Sequence, residues 1–214
     1  MTWAPDSGKN KDRGYHHGNL REALVRAAME LIEKNGPAGF TFADAARWAG
    51  VSSAAPYRHF RDRDALMADV ARRGFEAFAQ ALVKAWNDGR PDPVAAFENV
   101  GKAYLHFAGT QPAYYAAMFE SGLAADAYDD LREAADRAFQ VLRHAAEAVS
   151  AVLPGERRPP AAMIAFHAWS LAHGIASLFG RGDATRRKLP MAPEDLLEAG
   201  MLVYLRGLGY GEKK

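Results

Sequence analysis

The stretch Phe40-Thr41-Phe42-Ala43-Asp44-Ala45-Ala46-Arg47-Trp48-Ala49-Gly50-Val51-Ser52-Ser53-Ala54-Ala55-Pro56-Tyr57-Arg58-His59-Phe60 decides the fold. Thr41 and Asp44 stand three apart, the spacing of a capping box with Asp in place of the commoner Glu. They predict a short helix over about Phe42–Ala49. Gly50-Val51-Ser52 follows as a tight turn, with Gly50 supplying a backbone angle that side chains oppose. A second short helix is predicted over about Ser53–His59. Ala46, four positions before Gly50, is small enough to let the two helices cross closely, and Val51 can anchor the turn in a core. Phe40, Phe42 and Phe60 flank the unit and can pack it against a preceding helix. The pattern is that of a helix-turn-helix.

Working outward, the chain reads as helices throughout. Asn19 is a candidate N-cap for a first helix with apolar positions Leu20, Leu24, Ala27, Ala28, Leu31 and Ile32, closed by Asn35-Gly36-Pro37. Asp62 reads as the N-cap of a long helix carrying Leu66, Val70, Phe78, Leu82 and Trp86, which Gly89 to Pro93 interrupts. Further helices are predicted over about Val94–Thr110, from Pro112, over about Ala125–Leu153, from Pro159-Pro160 to near Gly180, and from Pro193 to Gly207–Gly209. No strand-period segment of useful length interrupts them. The fold class is therefore all-α, with the helix-turn-helix unit and an N-terminal arm in residues 1–62 and a larger helical domain in residues 63–214.

The quoted stretch resembles the DNA-binding domain of the tetracycline-repressor (TetR) family. The likeness extends back through Tyr15-His16-His17-Gly18-Asn19-Leu20-Arg21-Glu22-Ala23-Leu24 and on through Arg61-Asp62-Arg63-Asp64-Ala65-Leu66, about the first third of the chain. The resemblance implies that the second short helix enters the major groove of DNA. Tyr57 and His59 would then donate to phosphate oxygens, and Thr41 would seat a phosphate at a helix N-terminus. Arg47 and Arg63 would add charge. Ser53 and Arg58 would reach base edges or phosphates, and Ala54 and Ala55 would touch thymine methyls. So few polar readers leave much of the binding to phosphate contacts and DNA shape. Lys9, Lys11, Arg13, His16 and His17 sit on an arm that reads either as a flexible tail or as a further contact to the DNA backbone or an adjacent minor groove.

The remaining two-thirds are rich in large apolar residues. Tyr104, Phe107, Tyr115, Met118, Phe119 and Trp169, with His173 as a polar handle, are the candidates to line a cavity for a small apolar or aromatic ligand. At helical spacing the same residues also read as plain core. Trp169-Ser170-Leu171-Ala172-His173-Gly174 resembles a C-terminal domain type of the same family named for its Trp-His-Gly pattern. Small residues recur at Ala165, Ala168, Ala172 and Ala176, and Ala199, Gly200, Val203 and Gly207 form a second such stripe. The resemblance implies that the last two helices form a four-helix dimer interface; packing within one chain is the other reading.

Composition bounds the rest. The net charge is +1 and Cys is absent, which removes disulfides and Cys metal sites and fits a reducing cytosol. Basic residues are in slight excess over the first 75 positions and acidic ones beyond. Met1 to Lys11 has no signal-peptide core, and the longest apolar run, Ala161 to Gly180, is interrupted by His167, Ser170, His173 and Ser177, so no membrane association is expected. No nucleophile and base pair up, His167 and His173 are wrongly spaced for shared metal ligation, and Gly207-Leu208-Gly209-Tyr210-Gly211 lacks the strand and helix of a nucleotide loop. The expectation is a cytoplasmic homodimer without enzymatic activity, catalytic residues, metal or cofactor. It would be a repressor released from a palindromic double-stranded operator by a small apolar ligand. The alternative is a helical small-molecule-binding protein with a vestigial helix-turn-helix, which would lack salt-dependent, sequence-selective DNA binding.

Overall fold

A computed structural model describes residues 20–155, 158–180 and 190–211. Within them there are eight α-helices and no strand: α1 (Leu20–Asn35), α2 (Phe42–Trp48), α3 (Arg63–Trp86), α4 (Pro93–Thr110), α5 (Pro112–Phe119), α6 (Asp129–Val152), α7 (Ala161–Phe179) and α8 (Pro193–Gly207). The proposed cap Asn19 and the N-terminal arm lie outside the described residues.

Local chemistry accounts for the boundaries. The Asp44 N–H donates to Thr41 Oγ1 at 3.1 Å and the Thr41 N–H to Asp44 Oδ2 at 2.8 Å, closing the capping box of α2. Gly36 and Gly50 take φ of 80° and 70°, the left-handed turns that end α1 and α2. Asp62 caps α3 through Ala65 N–H at 2.8 Å, and Asp92 caps α4 through Val94 and Ala95.

Two predicted helices come out shorter. The segment after Gly50 forms only a 3₁₀ turn over Ala55–Arg58, tightened by bonds from Ala55 N–H to Ser52 O and from His59 N–H to Pro56 O. The helix expected from Ala125 begins with a separate 3₁₀ turn over Ala125–Ala127, and α6 starts at Asp129. Helix α7 is long and apolar enough, by length and composition, to cross a membrane. Its buried side packs into the centre of the chain, as the side of a core helix does.

Two apolar clusters share α3. Leu66, Met67 and Val70 pack with α1, with Phe40, Phe42 and Phe60, and with Ala113, Ala116 and Ala117 of α5. Phe78, Leu82 and Trp86, further along the same helix, pack with α4, α6, α7 and α8. At the changeover sits Gly74. A Cβ there would lie 2.7 Å from Met118 Sδ and 3.1 Å from Tyr114 Cβ, so the bare backbone is what lets α5 lie so close to α3. Beside it, Asp69 is the one buried charged residue among those described, 6% exposed. It receives Arg72 at 2.9 Å, Arg21 at 3.1 Å and Arg73 at 3.2 Å, and Arg73 also holds Glu22 at 2.5 Å. This network ties α1 to α3.

Candidate nucleic-acid interface and ligand cavity

The helix-turn-helix residues divide by what already holds them. Ser53, Ala54, Tyr57, Arg58 and His59 are exposed, while Ala55 is half-buried. The Tyr57 ring stands edge-on to Phe42 at 5.0 Å between centroids. That contact fixes the ring while the side chain stays 63% exposed. Its hydroxyl has no hydrogen-bond partner among the described residues.

The other candidates are engaged locally. Thr41 Oγ1 donates to Asp44 Oδ2 at 2.7 Å, so a phosphate there must compete with the capping box. The Arg47 guanidinium pairs with Asp44 while remaining largely exposed. The hydrogen bonds from the Thr41 hydroxyl and backbone, together with Arg47, hold the Asp44 carboxyl below the usual range. Arg63, expected to add charge for DNA, is engaged within the chain, with its Nη1 pairing with Asp64 at 3.0 Å. Its Nε donates to Phe40 O at 2.9 Å, its Nη2 donates to Pro37 O, and its guanidinium lies 4.8 Å above the Phe40 ring. It pins the loop between α1 and α2. Sequence reading passed over Trp48, whose Nε1 donates to Glu30 at 3.1 Å and staples α2 to α1.

In the larger domain a cavity of about 400 Å³ opens among α3, α4, α6, α7 and α8. Phe75, Phe78 and Leu82 of α3 form one wall, Phe97 and Tyr104 of α4 another, and Phe139 and Leu142 of α6 a third; Leu197 and Met201 reach in from α8. Of the seven candidates, Tyr104, Phe119 and Trp169 line it. Phe107 is packed behind Phe78, at 5.1 Å between ring centroids. Met118 lies against Gly74 instead. Tyr115 and His173 do not line the cavity but back it: His173 Nδ1 lies 2.8 Å from Tyr104 Oη and 3.1 Å from Tyr115 Oη. Burial lowers the His173 pKa against the opposing pull of Glu120, so the ring is neutral. Burial also pushes both phenols up, so they stay protonated. Phe75, Phe78, Phe97 and Phe139 line the cavity as well. Helical periodicity marks an inward face and cannot say whether that face meets a neighbour or a void.

The proposed interface stripe is corrected in part. Ala165, Ala168, Ala172 and Ala176 are buried within the chain itself, at 0%, 9%, 3% and 6% exposure. The opposite face of α7, about half a turn away, carries the exposed Met163, His167, Ser170, Gly174 and Leu178. On α8, Ala199 and Val203 are exposed, with Leu202 beside them. Gly200 instead faces inward, where a Cβ would lie 2.8 Å from Leu171 Cδ2.

Residues 24–70 match the family model described as "Bacterial regulatory proteins, tetR family", and residues 97–204 match "Tetracyclin repressor-like, C-terminal domain". The chain belongs to the TetR family. Among solved structures, a protein with unknown function from Rhodococcus sp. RHA1 is 32% identical, with 92% of this chain and 99% of that chain covered and a TM-score of 0.74. The TetR family transcriptional regulator PfmR from Thermus thermophilus shares the fold at 21% identity, TM-score 0.66, covering 86% and 98% of the two chains. The fatty acid degradation regulator FadR from Bacillus halodurans does so at 11% identity, TM-score 0.68, covering 92% and 97%. No curated protein matches the sequence. As a TetR-family member, the protein is a DNA-binding transcriptional regulator and not an enzyme.

Proposed function

We propose that this regulator is a cytoplasmic, ligand-responsive repressor. In this reading it binds a palindromic operator as a homodimer and leaves it when a small apolar or aromatic molecule enters the cavity. The observation that carries the reading is the shared helix. Phe75, Phe78 and Leu82 line the cavity on α3, while Leu66, Met67 and Val70 of the same helix are built into the core of the DNA-binding unit. A ligand that shifts the far half of α3 moves the helix-turn-helix with it. Two such units must sit about 34–36 Å apart to enter successive major grooves on one face of DNA. A ligand that prefers another separation weakens operator binding by its differential affinity for the two states.

The exposed apolar face of α7 and α8, with Met163, Leu178, Leu202 and Val203, is the proposed dimer surface. A second copy presenting the same face would remove these side chains from water. Exposed Tyr57, Arg58, His59 and Ser53 are the proposed DNA contacts, with Thr41 and Arg47 once released from Asp44.

Selection of bound duplexes from a random pool tests the DNA half. A two-fold symmetric site is expected; a single asymmetric half-site bound by a monomer would contradict the reading. Thermal unfolding with apolar compounds tests the ligand half, since a ligand of the native state raises the melting temperature by mass action.

A further inference from the structure

The cavity is electrically one-sided. Among the described residues, no Lys, Arg or His lines it, and the only lining residue with a full charge at neutral pH is Asp136. Asp136 is exposed at the rim on α6 and makes no ion pair among the described residues. Of the nearby guanidinium groups, Arg132 is bonded to Asp129 at 3.0 Å, with Asp136 a lesser charge acting on it, and Arg137 pairs with Glu76 and Glu133, each at 3.7 Å. On the inner side, the charge that acts on His173 and Tyr115 is also negative, that of Glu120.

The rim beside Asp136 is aromatic. Phe139 lies 5.1 Å from Phe166 and 5.7 Å from Trp169, and Phe166 and Trp169 stack at 6.2 Å, all between ring centroids. Ring faces carry negative charge and attract cations, most strongly for Trp and where water is displaced. A carboxylate in the same place would meet those faces, the Asp136 carboxylate, and one lining phenol, Tyr104, which is already bonded to His173. Its charge would be desolvated with no lining cation among the described residues to receive it.

We propose that the cavity selects amphiphilic monocations. The apolar body lies among Phe78, Phe97 and Tyr104, and an ammonium-type head sits at the rim between Asp136 and the rings of Phe139, Phe166 and Trp169. The proposal rests on the ligand-cavity reading above and adds the sign of the ligand's charge.

Three probes sharing one ring system test it: (2-naphthylmethyl)trimethylammonium, 2-naphthylmethanol and 2-naphthylacetate, titrated calorimetrically into the full chain at fixed ionic strength. The cation is expected to bind about tenfold or more tighter than the anion. In Asp136→Asn, that ratio should shrink to within about threefold, with the melting temperature checking that the fold persists. If the alcohol binds but cation and anion bind equally, or the anion binds tighter, the charge selection is overturned and the cavity reading stands. If none of the three binds, both fall.

Discussion

Replacing Asp69 with Asn removes the one acceptor that three arginines share. The carboxylate is 6% exposed and meets Arg21 of α1 and Arg72 and Arg73 of α3 within 3.2 Å. Taking one partner from a buried ion network typically costs about 3–5 kcal/mol, because the remaining charges are left buried without compensation. Here the arginine side chains are 45%, 25% and 23% exposed, and Arg72 and Arg73 keep Glu76 and Glu22. Water and those carboxylates absorb part of the loss, which sets the expectation at about 2–3 kcal/mol. For a chain of this size that lowers the melting temperature by roughly 4–12 °C.

The same network makes a pH prediction. Burial alone would raise the Asp69 pKa, but hydrogen bonds from Arg72 and Arg21 and the charge of Arg73 outweigh it, leaving it below the usual carboxylate value. A carboxyl with a depressed folded-state pKa stabilises above its unfolded value of about 3.9, and loses that contribution as pH falls through the folded one. The gap between wild type and Asp69→Asn should therefore be full at pH 7 and shrink below about pH 4. Urea unfolding of both proteins from pH 7 to pH 3 measures it. Stabilities within about 0.5 kcal/mol of each other at pH 7 would refute the reasoning, as would a gap that widens on acidification.

Tyr57→Phe should weaken binding to every duplex by a similar factor, about 1.5–3 kcal/mol for a hydrogen bond to a charged phosphate; unchanged affinity at matched salt would remove the phenol from the interface. Arg63→Ala should destabilise the DNA-binding unit by roughly 1–2 kcal/mol, while leaving the slope of log affinity against log salt unchanged, because the guanidinium is spent on Phe40, Pro37 and Asp64; a shallower slope would return it to the DNA. Ala172→Glu should destabilise the fold, since it places an unpaired charge in the core. Val203→Glu, at a position 73% exposed in the single chain, should leave helicity intact and shift sedimentation from dimer to monomer; a stable dimer would move the interface away from α8.

The bounds of α2 and the start of α3 were legible because their determinants are local, whereas the helix expected over about Ser53–His59 is only a 3₁₀ turn over Ala55–Arg58. Thr41 with Asp44, Gly50, and Asp62 before Ala65 each act within three or four residues, so spacing alone carries the information. Arg63 was not legible for the opposite reason. Its partner Asp64 is adjacent, but the carbonyls it holds, Phe40 and Pro37, lie 23 and 26 positions away. The alanine stripe of α7 reads as a close helix-packing surface with dimer interface and own core both open, and the structure buries it in the core. Small residues report that a helix is approached closely, not by which chain. The cavity was read from the right domain and partly the right rings. Tyr104, Phe119 and Trp169 line it, while Phe107 and Met118, indistinguishable by sequence, pack against Phe78 and Gly74.

The central claim is that occupancy of the cavity and binding of the operator oppose each other through α3. Its most direct measurement is the operator dissociation constant, by fluorescence anisotropy at one salt concentration, as 2-naphthylmethanol is raised through saturation of the cavity. The account predicts affinity falling to a plateau about 5–150-fold weaker, the range of typical coupling energies, with the operator weakening the alcohol's binding by the same factor. Saturated binding of the alcohol with an unchanged operator dissociation constant would contradict it.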